Sequence, residues 1–377
     1  MTAVTTVAIA GCGAASLAAA IPLAEAGVSV DVYELKREVS ALGSGITLQG
    51  NALRALGQLG VWEQAAAEGY AFEGLTLRAP GPDAAVVAEL PEVKTGGPDF
   101  PAGMGMYRPD LARILTARAE AAGVRIHFGA KVTAVTETDS GVRVDVGGAP
   151  VGEFDLVIGA DGLHSTVREL IGIETRPEPT GMGIWRAFVP RPAEVTQTQL
   201  YYGGPAYIAG YTPTGDDTMY AFFVEDAQDR FDVPPAEGAE IMREICGAYG
   251  GPWNEVRENL DDTRRINYTW FTSHLIDGAW NRGRVVVIGD AAHSCPPTIA
   301  QGAAQAFEDG LVLAELLIAA DAVDDDLWEA FHARRVERAK AVVDASVQLG
   351  AWQLEHNREA DAPGLIFGVA QKMAEPA

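Results

Sequence analysis

The alternation of apolar and polar positions divides the chain into elements. Residues 4–10 form a short β-branched apolar run ending at Gly11-Cys12-Gly13, residues 14–26 are Ala-rich and helical in character up to Gly27, and residues 28–34 are a second apolar run. Strand, tight glycine turn, helix and strand within 34 residues predict a parallel βαβ unit. Apolar spacing predicts helices over 51–59 and 108–122, the second with Pro109 in its first turn and Gly123 as its stop. Strands are expected over 124–128, 131–137 and 142–146, around turns at Gly129 and Asp139-Ser140-Gly141, with two further buried strands over 153–159 and 283–289. Residues 181–272 are richer in aromatics and alternate, as in 218–224, which predicts a mostly antiparallel sheet. Helices follow over 303–319 and from 325 toward 353, the latter opened by Asp324, Asp325 and Asp326, whose charges suit the N-terminal dipole. Residues 363–377 are expected as a loosely held tail.

Composition narrows the class. The 377 residues, 48% hydrophobic and 21% charged, suffice for two domains with real cores. With 28 Lys+Arg against 52 Asp+Glu, the net charge of −24 repels phosphate backbones and anionic bilayers, so neither nucleic acid nor membrane is expected as a partner. Residues 2–24 carry no charge, close to the length of a membrane helix, but Gly11, Gly13 and Pro22 interrupt them, and no basic segment precedes them. Cys12, Cys246 and Cys295 are too few and too scattered for a disulfide framework or a zinc site, which points to a reducing cytoplasm and no metal.

Three constellations carry chemistry. Gly11-x-Gly13-x-x-Ser16 sits between a strand and a helix, with Glu34 ending the next strand. That arrangement lets backbone approach a pyrophosphate at a helix N-terminus while an acid meets ribose hydroxyls. Ser16 replaces the usual third glycine, which predicts looser helix–strand packing, and Pro22 should kink the helix at a cost of about 3 kcal/mol unless neighbours compensate. The second constellation, Gly159-Ala-Asp161-Gly162, and the third, Gly289-Asp290, each turn from a strand toward a helix, the third continuing through Pro297 and Gln301 to Gly302 and Ala303. His293 and Cys295 suggest a nucleophile or a metal, but no partner stands at ligand spacing, so they are read as structural, as is His164.

Taken in order, the glycine turn with Glu34, Gly43-Ser44-Gly45-Ile46, the helix start Tyr107-Arg108-Pro109-Asp110-Leu111, Asp161-Gly162, and Gly289-Asp290 with its Pro-x-x-x-Gln-Gly extension span nearly the whole chain. In this the sequence resembles the class A, single-component FAD-dependent aromatic hydroxylases. The resemblance implies an α/β fold: a glutathione-reductase-type, Rossmann-like FAD-binding domain, an inserted mainly antiparallel β-sheet substrate domain, and C-terminal helices. It places the FAD domain at 1–75, 105–178 and 276–360, the substrate domain at 76–104 and 179–275, and a tail at 361–377.

The same resemblance puts Gly11, Gly13, Ala14 and Ala15 along the FAD pyrophosphate, Glu34 and Leu35 at the adenosine ribose, and Val132 at the adenine. Arg108 and Asp290 fall at the pyrophosphate and ribitol, Gly45, Thr47, Pro297, Gly302 and Ala303 around the flavin, and Asp161 at both FAD and the pyridine nucleotide. It further implies NADH or NADPH as electron donor, O₂ as co-substrate through a flavin C4a-hydroperoxide, hydroxylation of a small aromatic or N-heteroaromatic compound, and a monomer or homodimer. A halogenase or reductase on the same fold, and a flavin-binding protein without turnover, are the alternatives. The chain departs from the family at Ser16, Ala300 and Ala304. Tyr207 and Tyr211, four apart in the middle sheet, are expected to share a face where relatives carry a Tyr or His pair, and are the expected catalytic groups. Trp185, Tyr220 and Phe222 are expected either to line the pocket or to fill the core.

Overall fold

A computed structural model describes residues 2–39, 45–261 and 265–377. Gly43 and Ser44 of the expected flavin motif lie outside the described residues.

The chain opens with β1 (Thr6–Ala10), α1 (Ala14–Glu25) and β2 (Ser29–Glu34). The uncharged stretch 2–24 is therefore the first strand and helix of a βαβ unit, and no described helix is long and apolar enough to cross a membrane. Next come β3 (Ile46–Gln49), α2 (Gly50–Gln58), α3 (Trp62–Glu68), β4 (Tyr70–Phe72), β5 (Gly74–Arg78), β6 (Val86–Pro91) and β7 (Gly103–Met106). After α4 (Arg108–Ala121) and β8 (Arg125–Phe128), the meander β9 (Val132–Glu137), β10 (Val142–Val146) and β11 (Ala149–Phe154) leads to β12 (Leu156–Gly159) and α5 (Thr166–Leu170). The single strand expected over 153–159 is thus two. Asp155 separates them because its carboxylate accepts from Thr5 N, Thr5 Oγ1 and Thr6 N, which pins the chain where it crosses to β1.

The second half holds β13 (Glu178–Pro190), β14 (Thr198–Tyr202), β15 (Ile208–Pro213), β16 (Thr218–Asp226), α6 (Pro235–Cys246), α7 (Pro252–Asn259) and β17 (Asn267–Leu275). Then β18 (Asn281–Arg282), β19 (Val285–Val287) and β20 (His293–Ser294) precede α8 (Gly302–Ala319), α9 (Asp325–Leu354) and α10 (Ala362–Ala374). Asp324 caps α9 through Oδ1, which accepts from Leu327 N. Residues 361–377 are not a loose tail: α10 buries Val369 and Met373 against α9.

Two large sheets organise the molecule. The first has the order β18-β19-β12-β1-β2-β8 and is parallel from β19 to β8. Its central strands β1, β12 and β19 are almost wholly apolar because α1 and α8 are among the elements that cover them, while the edge strands β18 and β8 carry polar residues. The second, β20-β17-β13-β16-β15-β14-β5-β6, is antiparallel except for the β14–β5 pair. Its odd-numbered residues Trp185, Ala187, Tyr211, Ala221 and Phe223 pack beneath α6 and α7, with Met242 and Trp253. This sheet reaches beyond 76–104 and 179–275, since β5 begins at Gly74 and β20 pairs with β17. A small sheet, β3-β7-β4, meets the second where Gly105 of β7 lies against Pro213 of β15.

Candidate functional site

The first sheet gathers the three motifs by topology alone. Parallel strands share an end, so Gly11 after β1, Glu34 at the end of β2, Asp161 after β12 and Gly289-Asp290 after β19 all meet at the carboxyl edge. β1 lies between β2 and β12, whose connections diverge, and a crevice opens at such a point.

Each residue there has a definable job. Gly11 has φ +92°, and a Cβ on it would come within 2.4 Å of Ala160 O, so the turn admits only glycine. Gly13, by contrast, faces open space and precedes α1 without a side-chain cap, leaving the N–H groups of Ala14 and Ala15 turned toward the crevice. Glu34 is oriented by two backbone donors, Cys12 N to Oε2 and Lys36 N to Oε1, both at 2.8 Å. Leu35 beside it is exposed, and Val132 is buried at the start of β9. Asp161 differs from expectation: its carboxylate accepts from Thr166 N, Val167 N and Ser165 Oγ, so it caps α5 rather than facing the crevice.

Asp290 has an exposed side chain, yet surrounding protein desolvates it enough to push its carboxyl upward, with His293 and Arg108 opposing. Accessibility together with desolvation marks a deep cleft. Cys295 packs against the apolar cluster between α9 and α10, and burial pushes its thiol up to about 12, which leaves no thiolate for a nucleophile. His293 is taken up by structure: Nε2 meets Asp309 Oδ2 at 2.7 Å, while Asp309 Oδ1 accepts from Arg335 Nε at 2.7 Å. His164 makes no described contact that argues for chemistry. Pro297 opens a 3-10 turn that leads through Ala300 to Gly302, where a Cβ would again meet nothing, and to half-buried Ala303 in the first turn of α8. The buried amides of Gln301 and Asn51 pair reciprocally at 3.0 Å and fix that helix start.

The even-numbered face of the second sheet forms the opposite wall. Tyr220 and Phe222 stack there with centroids 5.5 Å apart, and Tyr220 OH meets Thr47 Oγ1 at 2.8 Å. Gly45 allows this approach, because a Cβ would lie 2.2 Å from the Tyr220 ring. Trp185, by contrast, belongs to the core beneath the helices.

The expected catalytic pair is not brought together. Tyr207 precedes β15 and its phenol donates to Asp226 Oδ1, whereas Tyr211 is fully buried on the helix-packed face and donates to Gln199 Oε1. The rule that residues four apart share a face holds only within one strand, and β15 begins at Ile208. Burial pushes the Tyr211 phenol upward, with Tyr201 adding to the shift, so it is no base for a ring on the other face.

The arrangement fits a dinucleotide with a bulky ring system: free helix N-termini at α1 and α8, an acid at the second strand, and a cleft between two sheets. Comparison with known proteins agrees. Residues 4–346 match the sequence model of the FAD binding domain family.

The chain belongs to this family. It is 32% identical over 345 residues to Bacillus subtilis YetM, a protein itself named only provisionally as a FAD-dependent monooxygenase, covering 90% of this chain and 92% of that one. It is 29% identical over 347 residues to the 3-amino-4-hydroxybenzoate 2-monooxygenase of Streptomyces cremeus, covering 89% and 84%. Among solved structures, 2-methyl-3-hydroxypyridine-5-carboxylic acid oxygenase superposes with a TM-score of 0.80 at 26% identity, over 98% of this chain and 95% of that one. The FAD-binding family member described here is a FAD-dependent monooxygenase of the aromatic hydroxylase type.

Proposed function

We propose that this monooxygenase consumes NADH or NADPH and hydroxylates a small aromatic or N-heteroaromatic ring. The observation that carries the reading is the two-walled cleft. Cofactor-type loops form one wall, an aromatic sheet face forms the other, and the Thr47–Tyr220 hydrogen bond joins them.

FAD would lie with its pyrophosphate on the N–H groups after Gly11 and Gly13, at Ala14 and Ala15, where the dipole of α1 favours negative charge. Glu34 and Leu35 would flank the adenosine ribose and Val132 the adenine. Arg108 and Asp290 would sit along the pyrophosphate and ribitol, and Gly45, Thr47, Pro297, Gly302 and Ala303 around the flavin ring. Asp161 would contribute through the turn it stabilises. The bound cofactor supplies the redox chemistry, accepting reducing equivalents and activating O₂.

The chain's own part is placement and shielding. Phe222 and Tyr220 offer a flat apolar surface to a ring, and the half-buried hydroxyls of Tyr220 and Thr47, hydrogen-bonded to each other, are placed to hold a ring hydroxyl. The surrounding protein excludes water, which would otherwise divert O₂ to peroxide.

The test is a purified protein loaded with FAD and offered hydroxybenzoates, phenols and hydroxypyridines under ¹⁸O₂. Substrate-stimulated NADH or NADPH oxidation with one labelled oxygen in the product is expected. A protein that rejects FAD at micromolar concentration, or oxidises nicotinamide only to peroxide with every ring offered, contradicts the reading. Tyr220→Phe should lower kcat/KM by about tenfold with FAD affinity unchanged, the size of one lost hydrogen bond to a charged or reacting group.

A further inference from the structure

The sheet face that carries Phe222 and Tyr220 continues outward past them. Phe222 on β16 pairs with Gly210 on β15, Gly210 with Leu200 on β14, Leu200 with Leu77 on β5, and Leu77 with Ala88 on β6. Directly paired residues share a face, so these positions form one apolar row across neighbouring strands. At a strand spacing of about 4.8 Å, the row runs about 19 Å from Phe222 to the sheet edge. Gly210 keeps it continuous: a Cβ there would lie 2.6 Å from Phe222 Cζ and 2.9 Å from Leu200 Cδ2, so both side chains lean over the glycine.

On β14 and β5 the ordinary partition of side chains is reversed. Polar Thr76 and Gln199 turn to the helix-packed face and are buried, while Leu75, Leu77 and Leu200 on the cleft face are only half-buried. Tyr202 beside Leu200 and Leu90 opposite Leu75 are 46% and 43% exposed. At the other end of this face Leu354 of α9 packs with Met182, Ile184 and Phe271, and Leu200 and Phe222 lie at the margin of that cluster. The outer part of the row is therefore an apolar strip open to a ligand. The charges near it are acidic, Glu89 within β6 and Glu92 just after it, and the chain carries −24, which opposes both a second copy and an anionic bilayer on this face.

We propose that the row from Leu200 through Leu77 to Ala88 is a subsite for an uncharged hydrocarbon chain carried by the substrate ring. The row begins at Phe222, where the ring is held, so ring and chain fit as parts of one molecule. None of its side chains has a polar group to be desolvated, so each methylene laid along it adds affinity without a compensating loss. The proposal rests on the monooxygenase reading for the ring and adds the substituent that the ring bears.

Equilibrium dialysis tests it without relying on turnover. The FAD-loaded wild type, Leu77→Asn and Ala88→Asp are each equilibrated with 4-ethyl-, 4-butyl-, 4-hexyl- and 4-octylphenol, all kept below their aggregation concentrations. In the wild type, affinity should rise about threefold to fourfold per added methylene until the row ends. All three proteins should bind 4-ethylphenol alike, but the rise should stop at a shorter chain in L77N than in A88D, the order in which the two positions are reached from Phe222. Sedimentation of the same samples reports their oligomeric state. The proposal is overturned if wild-type affinity is indifferent to chain length, or if both variants keep the full rise. It is also overturned if either variant breaks a wild-type dimer while the rise persists, which gives the face to a second copy. Should L77N fail to fold, A88D decides alone, since a charge at the end of the row must weaken the longest chain and spare the shortest. A rise with chain length but no hydroxylation of any phenol would remove the monooxygenase reading and leave the subsite standing; hydroxylation with affinity indifferent to chain length would do the reverse.

Discussion

Ala300 is held at φ +52°, where the chain leaves the 3-10 turn and enters the loop before α8. A left-handed alanine costs about 1–2 kcal/mol, part of which a glycine gives back through its freer unfolded chain. Ala300→Gly should therefore raise stability by about 0.5–1 kcal/mol, read as an increase in denaturation midpoint at unchanged m. Ser16 is a second departure with a physical cost, because its fully buried Oγ has no described partner. Ser16→Ala removes that hydroxyl and should stabilise by about 1 kcal/mol in the same measurement. A lower midpoint in either variant would show that the local geometry is needed as it stands. Both positions are legible in the sequence as departures, but their signs are not, since φ and hydrogen-bond satisfaction are properties of the folded chain. The tyrosines teach the same lesson. Tyr211 pairs with Ala221 and Tyr220 with Thr212, so the two phenols leave opposite faces, and only the packing of α6 and α7 decides which face is core.

Elements legible in the sequence are those with a local signal. The βαβ opening, the Asp-capped α9 and the helix after Gly302 are visible because glycine turns, caps and apolar periods act within a few residues. The helix α10 is not visible, because its order comes from partners far along the chain. Arg338 donates to the carbonyls of Lys372, Met373 and Glu375, and Arg54 to those of Ala374 and Glu375, satisfying the C-terminal end of α10. Arg338 also grips Glu308 on α8, which in turn accepts from Asn51, the partner of Gln301 at the start of α8. The C-terminal helix is thus tied through buried polar groups to the loop that faces the cleft. Removing residues 362–377 strips Arg338 and Arg54 of those carbonyls but leaves their pairing with Glu308. The shortened chain should remain folded, melt lower, and bind FAD more weakly than the full chain in a fluorescence titration. Arg338→Met, which leaves Glu308 short of one cation, should cost on the order of 3 kcal/mol in stability. Unchanged FAD affinity in the shortened chain would break the link between α10 and the cleft.

For the whole molecule, the charge of −24 and a few buried titrating groups act in different pH ranges. His274 is buried between Arg168 and Ser294, with Nε2 at 3.2 Å from Arg168 Nη1 and Nδ1 at 2.7 Å from Ser294 Oγ. Desolvation, then the Arg168 charge, pushes it down to about 4, so the folded protein keeps it neutral where the unfolded chain already binds a proton. Stability rises with pH wherever the unfolded state holds more protons, so this group withdraws stability as pH falls from about 6.5 to about 4, by about 3 kcal/mol in total. Glu308 and Asp309 act lower. Burial opposes their ionisation, but Arg338, Arg335 and His293 outweigh it and hold both below the usual carboxylate range. Their contribution is intact above the ordinary carboxylate value and is lost only as pH falls through their depressed values. Self-repulsion among the surplus acids is a third influence; it is screened by salt and changes little until carboxylates begin to protonate. Between pH 6.5 and 5 the carboxylates change little, and His332, which burial also pushes down, acts in the same sense as His274, so the His274 share is the difference between the wild type and a His274 variant. Thermal melts of the wild type and His274→Gln at pH 7.5, 6.5, 5.5 and 5.0, each at low and high salt, separate the three. Gln retains an acceptor for Arg168 but has no proton to gain, so its melting temperature should fall less steeply over this interval. The gap between the two curves should survive high salt, while both curves shift upward together as the repulsion is screened. Parallel curves for the two proteins would assign the acid sensitivity to His332 and the surface acids, and His274 would then be a packing residue alone.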